Sequence, residues 1–321
     1  MSEDDKYTYP GSGGVLVNSK GIRDSVRLDA AMNDYASAAM AELRIEPVPP
    51  QPGYEYLRYI HTRMFERIVP GIAGRLRDVN VQAVGTGVVY ARPEYIQDSL
   101  SQLFDRLGRE DYLTGLDAAT FATRLAERWG DLTAIHPYRD GNTRSQSFYM
   151  TALAERAGHP VNWRRVDVDT LRALRLRAVV GNPRPLADYL VSRLLSCEPS
   201  QQTPSLESRI SSFALRASYP QAATEALRAA RRVPVPREGQ RSASPYEVCQ
   251  RYAAGELDRE EAVAQLVAWP WVPAGEMRTS PGDDLMVVPE GTVQDLFRAE
   301  RAGLIDVGMC EAVLDALYGD A

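Results

Sequence analysis

The nine residues His136–Arg144, HPYRDGNTR, separate two stretches of helical periodicity. Upstream, Asp117 reads as a helix cap, and Phe121, Leu125, Trp129 and Leu132 recur at three- and four-residue spacing. Downstream, Thr143 to Ala157 reads as a second helix that stops at Gly158, the residue type that most readily enters the left-handed region. The fold must therefore carry a helix–turn–helix here, with a Gly-Asn turn just before the second helix. Such a turn leaves consecutive backbone N–H groups at the positive end of the helix dipole, which attracts anions. Arg144 adds a planar fork of donors that matches phosphate oxygens. Asp140 offers hard oxygens to a cation such as Mg²⁺, which usually shares its ligands with phosphates. His136 can take a proton from a hydroxyl, because an unperturbed imidazole has a pKa of about 6.5. A lone histidine before proline, or Asp-Gly-Asn alone, more often serves structure. Their conjunction within nine residues favours a site.

The rest of the first two hundred residues reads as helical with one hairpin. Residues 10 to 24 form a Gly-rich loop. Val26, Leu28, Met32, Tyr35, Met40 and Leu43 mark a helix packed on one side, and Tyr56, Leu57, Ile60, Met64 and Ile68 mark another, ended by Pro70-Gly71. Asp78 to Ala91 (DVNVQAVGTGVVYA) is rich in β-branched residues around Gly85-Thr86-Gly87, a β-hairpin signal. Pro93 then opens a helix through Ile96, Leu100, Leu103 and Phe104 that closes near Gly108. Residues 197–205 and 233–245 read as linkers that flank short helical patterns at 206–216 and 221–232. The tail is again helical. No internal repeat stands out.

Composition excludes several chemistries. Lysine occurs only at Lys6 and Lys20, so a Walker loop, a kinase-type strand lysine and Schiff-base catalysis are all disfavoured. A nucleotide would have to be held by arginines and backbone amides. The net charge of −6 disfavours a dedicated nucleic-acid binder. No apolar run approaches the roughly 18 residues of a membrane span, and the acidic start is unlike a signal peptide. Cys197, Cys249 and Cys310 lack metal-ligand spacing and read as thiols in a reducing cytoplasm.

HPYRDGNTR also fits the signature H-x-[FY]-x-[DE]-G-N-x-R, and the chain resembles the Fic (filamentation induced by cAMP) family. Tyr9–Gly14 with Gly21-Ile22 is similar to that family's N-terminal lead-in. Residues 56–110 resemble its helix, flap hairpin and following helix, and Asn162–Asp167 (NWRRVD) resembles the segment after its active-site helix. The resemblance covers roughly residues 9 to 196. It implies an all-α fold whose only strands form the flap. With the linkers and helical patterns that follow, the chain divides into a catalytic domain at 1–196, a linker with short helices at 197–242, and an accessory helical domain at 243–321. The resemblance further implies transfer of AMP from ATP to a Tyr, Thr or Ser hydroxyl of a protein. His136 would be the base and Asp140 the Mg²⁺ ligand. Gly141, Asn142 and Thr143 would cradle the phosphates, with Arg144 on the outer ones. Tyr138 would be a buried anchor, and the target chain would dock on the flap near Val81–Val89.

Two positions depart from that pattern. Thr143 stands where the family usually has a third glycine, and Ser147 stands where many members have a second arginine. The family's inhibitory pattern [ST]-x-x-x-E-[GN] is also missing; Thr123 to Glu127 and Thr151 to Glu155 are each followed by arginine. Control by a separate small antitoxin is therefore expected. Gln250–Leu266 resembles the distal helices of such antitoxins, although an accessory packing role explains these helices more simply. Transfer of another group (UMP, phosphate or phosphocholine) and a non-catalytic nucleotide- or partner-binding module are the alternatives.

Overall fold

The computed structural model describes residues 4–83, 88–195, 242, 244–271 and 291–319. The hairpin tip, the first linker, most of the second, both short helical patterns between them and Cys197 lie outside the described residues. The fold is all-α, with only isolated β-bridges among the described residues.

In the larger unit, α1 (Ser25–Leu43), α2 (Tyr54–Phe65), α3 (Pro93–Arg109), α4 (Ala118–Ile135), α5 (Asn142–Arg156), α6 (Val168–Val179) and α7 (Arg184–Val191) follow one another. The central element is α4, which packs against α3, α5, α6 and α7, while α2 packs on α1 and α5. Phe121, Leu125, Trp129 and Leu132 are buried on α4. Its start is fixed by Asp117, whose carboxylate accepts from Ala119 N–H and Thr120 N–H, both at 3.0 Å. Val26, expected in the apolar stripe of α1, instead stands 75% exposed. It lies in the first turn, just after the Asp24 cap, before the buried face begins at Leu28. The described arms of the hairpin pair through Gln82 and Val89, with Ala83 N–H donating to Val88 O at 3.0 Å.

The second unit contains two helical hairpins whose turns share one capping geometry. Helices α8 (Pro245–Ala253) and α9 (Arg259–Val267) form one hairpin, and α10 (Gln294–Arg301) and α11 (Val307–Tyr318) form another. Their turns read A-A-G-E-L-D and R-A-G-L-I-D. In each, a left-handed glycine ends the first helix: Gly255 has φ 79° and Gly303 φ 66°. The next residue closes a Schellman bond, Glu256 N–H to Arg251 O and Leu304 N–H to Ala299 O, both 3.0 Å. An aspartate then caps the second helix: Asp258 accepts from Glu261 N–H and Asp306 from Met309 N–H. Asp258 and Glu261 complete a reciprocal capping box. Leu257 and Ile305 bury between the helices, as do Cys249 and Cys310. Between the two turns only Ala, Gly and Asp recur in identity; the rest of the likeness is backbone geometry.

Candidate active site

His136 caps the C-terminus of α4 in the left-handed region, at φ 47° and ψ 64°, an uncommon conformation for a residue with a side chain. Arg77 holds it there. Its Nε donates to His136 O at 2.7 Å, Nη1 to Val79 O at 2.8 Å, and Nη2 to Ala91 O at 2.5 Å and Ile135 O at 3.1 Å. This buried guanidinium thus joins both ends of the hairpin to the end of α4. Tyr90, on the hairpin's return arm, lies flat on the His136 ring at 3.7 Å and 8°. Burial, helped by the positive charges of Arg175 and Arg77, pushes the His136 imidazole down to about 3. At neutral pH the ring is therefore uncharged and able to accept a proton.

The chain then turns through Asp140 into α5. Gly141 has φ 75°, and a Cβ there would come within 2.2 Å of the Phe65 ring. Both the backbone conformation and the contact demand glycine. No side chain caps α5, so its first-turn amides face the cavity without an intrahelical acceptor. The Asn142 side chain is committed elsewhere: Oδ1 accepts from Tyr138 N–H at 2.9 Å and Nδ2 donates to Tyr138 O at 2.7 Å. It staples the loop shut, and only its backbone N–H remains for an anion. Arg144 reaches Asn33 Oδ1 at 2.9 Å and Asp140 Oδ1 at 3.5 Å, and lies over the Phe65 ring. Asp140 Oδ1 also accepts from Gly141 N–H, while Oδ2 has no protein partner among the described residues.

His61 supports this loop from beneath. It is fully buried and stacks on Tyr138 at 3.8 Å. Gly74 N–H donates to its Nδ1 at 2.9 Å, so the proton sits on Nε2, which donates to Asp140 O at 2.9 Å. Burial lowers its pKa to about 4, keeping it neutral.

His136, Asp140, Gly141, Asn142, Thr143 and Arg144 all line one cavity of about 380 Å³, joined by Val81, Gln82, Ala83 and Tyr90 from the hairpin. The sequence pattern alone did not single out His61, Arg77, Tyr90 or Arg175. His61 had a signal, being one of three histidines. Arg77 had none among 35 arginines.

The Fic/DOC family model matches residues 52–154, a span that holds α2, the hairpin, the loop and most of α5. The Escherichia coli K12 protein named "Probable protein adenylyltransferase Fic" is 30% identical over 178 residues, covering 56% of this chain and 86% of its own length. The chain belongs to the Fic/DOC family. "Protein adenylyltransferase VbhT" of Bartonella schoenbuchensis is 29% identical over 197 residues, 59% of this chain but only 40% of that protein. Among solved structures, the N-terminal Fic domain of a Bartonella quintana effector with bound ADP matches at TM-score 0.55 and 27% identity, covering 59% of this chain and 94% of its own. BepC of Bartonella tribocorum with bound AMPPNP matches at TM-score 0.54, again at 27% identity, covering 59% and 96%. Position 147 is the main departure of this Fic chain. Ser147 is 1% exposed, its hydroxyl has no partner among the described residues, and it is not part of the cavity wall.

Proposed function

We propose that this Fic protein transfers AMP from ATP to a Tyr, Thr or Ser hydroxyl of a protein chain laid along the hairpin near Val81–Val89. The observation that carries the reading is a neutral, deeply set histidine on the same cavity wall as an uncapped helix N-terminus. The hydroxyl oxygen attacks the α-phosphorus, its proton passes to His136, and the bond to pyrophosphate breaks with the electron pair leaving on pyrophosphate. The backbone amides of Asn142 and Thr143 and the Arg144 guanidinium are placed to stabilise charge on the phosphates. The target strand would pair with the hairpin by adding a strand along its edge.

Asp140 fits a Mg²⁺ site of the kind completed by phosphates and water: one carboxylate, 41% exposed, with an oxygen not engaged by protein. When bound, the ion would neutralise phosphate charge.

Residues 1–196 serve as the catalytic domain and 243–321 as the accessory domain in this reading. Control by a separate small antitoxin is part of it. Both internal Thr-x-x-x-Glu segments are built into helices, with Thr123 Oγ1 bonded to Ala119 O and Thr151 Oγ1 to Ser147 O, and so are unsuited to act as inhibitory arms. Location in a reducing cytoplasm is part of this reading. Incubation with α-labelled ATP, Mg²⁺ and a bacterial lysate should label protein, and peptide mass spectrometry should find an added AMP. A different added mass would reassign the donor to UMP, phosphate or phosphocholine. Nucleotide binding without any modified product would reduce the protein to a binding module.

A further inference from the structure

Four arginines reach the cavity, and they are not equivalent. Arg139 is paired with Asp5 at 2.7 Å. Arg144 shares its donors between Asn33 and Asp140. Arg175, on α6, is only 4% exposed, and its acceptors are all neutral. Nε and Nη2 donate to Thr133 Oγ1 at 3.3 and 3.2 Å, and Nη2 also donates to Gln146 Oε1 at 2.9 Å. Gln146 is itself oriented by donating Nε2–H to Leu132 O at 3.2 Å. Nη1 has no protein acceptor among the described residues, and no carboxylate pairs with the guanidinium there. Arg172, three residues earlier on the same helix and exposed, adds a second positive charge beside it.

A buried cation without a counter-charge is costly unless something in its site supplies one. The side-chain network fixes the orientation of the fork in advance while keeping donors for a ligand, which is how a preorganised recognition group is built. We propose that Arg175, with Arg172 at the rim, is a further binding residue of the nucleotide site and takes oxygen acceptors of the donor molecule. Those oxygens belong either to the phosphate chain or to the keto groups of a nucleobase. Because it rests on the nucleotide reading above, the test must separate the two.

Equilibrium binding of ATP, GTP, UTP and inorganic pyrophosphate, with Mg²⁺ throughout, is measured on the full chain and on Arg175→Gln, Arg175→Lys and Arg172→Gln. Thermal melting checks that each variant is folded. Arg175→Gln should weaken binding by about tenfold, the equivalent of one charge-assisted contact. Arg175→Lys should recover only part of that loss, since an ammonium lacks the fork. Arg172→Gln should cost less, because an exposed charge is screened. Equal weakening of all four ligands assigns the fork to phosphate. Weakening of GTP and UTP, with ATP and pyrophosphate unaffected, assigns it to keto oxygens. Folded Arg175→Gln and Arg172→Gln variants that bind all four ligands as wild type does would overturn the inference and leave the transfer reading standing. If Arg175→Gln does not fold, Arg172→Gln decides alone, with wild-type binding again overturning it. Wild type that binds no nucleotide at all overturns both.

Discussion

The loop at 136–144 and the turns at 253–258 and 301–306 solve the same problem and leave opposite surfaces. Each ends one helix and starts another within a few residues, and each uses a left-handed glycine. In the tail, an aspartate folds back onto the new helix, so the turn satisfies its own amides. In the loop at 136–144 the glycine itself occupies the cap position of α5, and no side chain follows to close it. The loop's polar side chains point backwards instead, with Asn142 bound to Tyr138. Self-sufficiency in one place and an open helix end in the other come from one choice of capping residue.

The comparison can be broken most sharply at His136, which has no counterpart in the tail. His136→Ala should lower the transfer rate by about 10²–10⁴-fold while nucleotide binding persists; a loss of only twofold would remove the base role. Next comes the same substitution made at two glycines. Gly141→Ala drives a methyl into the Phe65 ring and should cost roughly 2–4 kcal/mol, with loss of nucleotide binding. Gly255→Ala meets nothing within 4 Å and should cost only about 1–2 kcal/mol, with full activity. Chemical denaturation and a binding titration read both. Equal losses would mean that the two turns are alike after all. Asp258→Ala should remove about 1 kcal/mol of stability and leave transfer untouched. The last test is the pH dependence. Folding depresses the His136 pKa to about 3, so the unfolded chain binds a proton that the folded one refuses. Its contribution to stability is therefore complete above about pH 6.5 and is lost as pH falls toward 3. The acid limb of kcat/KM, which reports the uncomplexed enzyme, should lie well below pH 6.5. Bound phosphates raise the imidazole pKa, so the limb of kcat should lie higher. Coincident limbs near 6.5 would show that the imidazole is not desolvated.

The helical fold was largely legible because its helices announce themselves locally. Asp117, read as a cap ahead of an apolar stripe, caps α4, and Asp24 and Asp167 cap the helices after them in the same way. The loop was legible because its chemistry is contiguous in sequence. What supports the loop is not contiguous. His61 comes from α2, and Arg77 lies in the connection before the hairpin. Arg175 sits a full helix beyond α5, and its burial depends on Trp129 and Thr133 of α4. No local pattern distinguishes a buried arginine from the many exposed ones. Ser147 illustrates the same limit: sequence gave its position on α5, but only packing shows that it lies beneath the surface and off the cavity wall.

Arg77 has a consequence for how the protein can vary. All of its acceptors are main-chain carbonyls, so the residues at 79, 91, 135 and 136 contribute to the knot through atoms every amino acid carries. In a library of single substitutions, position 77 should be intolerant even to lysine, which lacks the reach to four carbonyls at once. Val79 and Ala91, bonded just as directly, should accept many replacements. A contact that strong would leave almost no covariation between its partners, and a search for paired changes would pass over it.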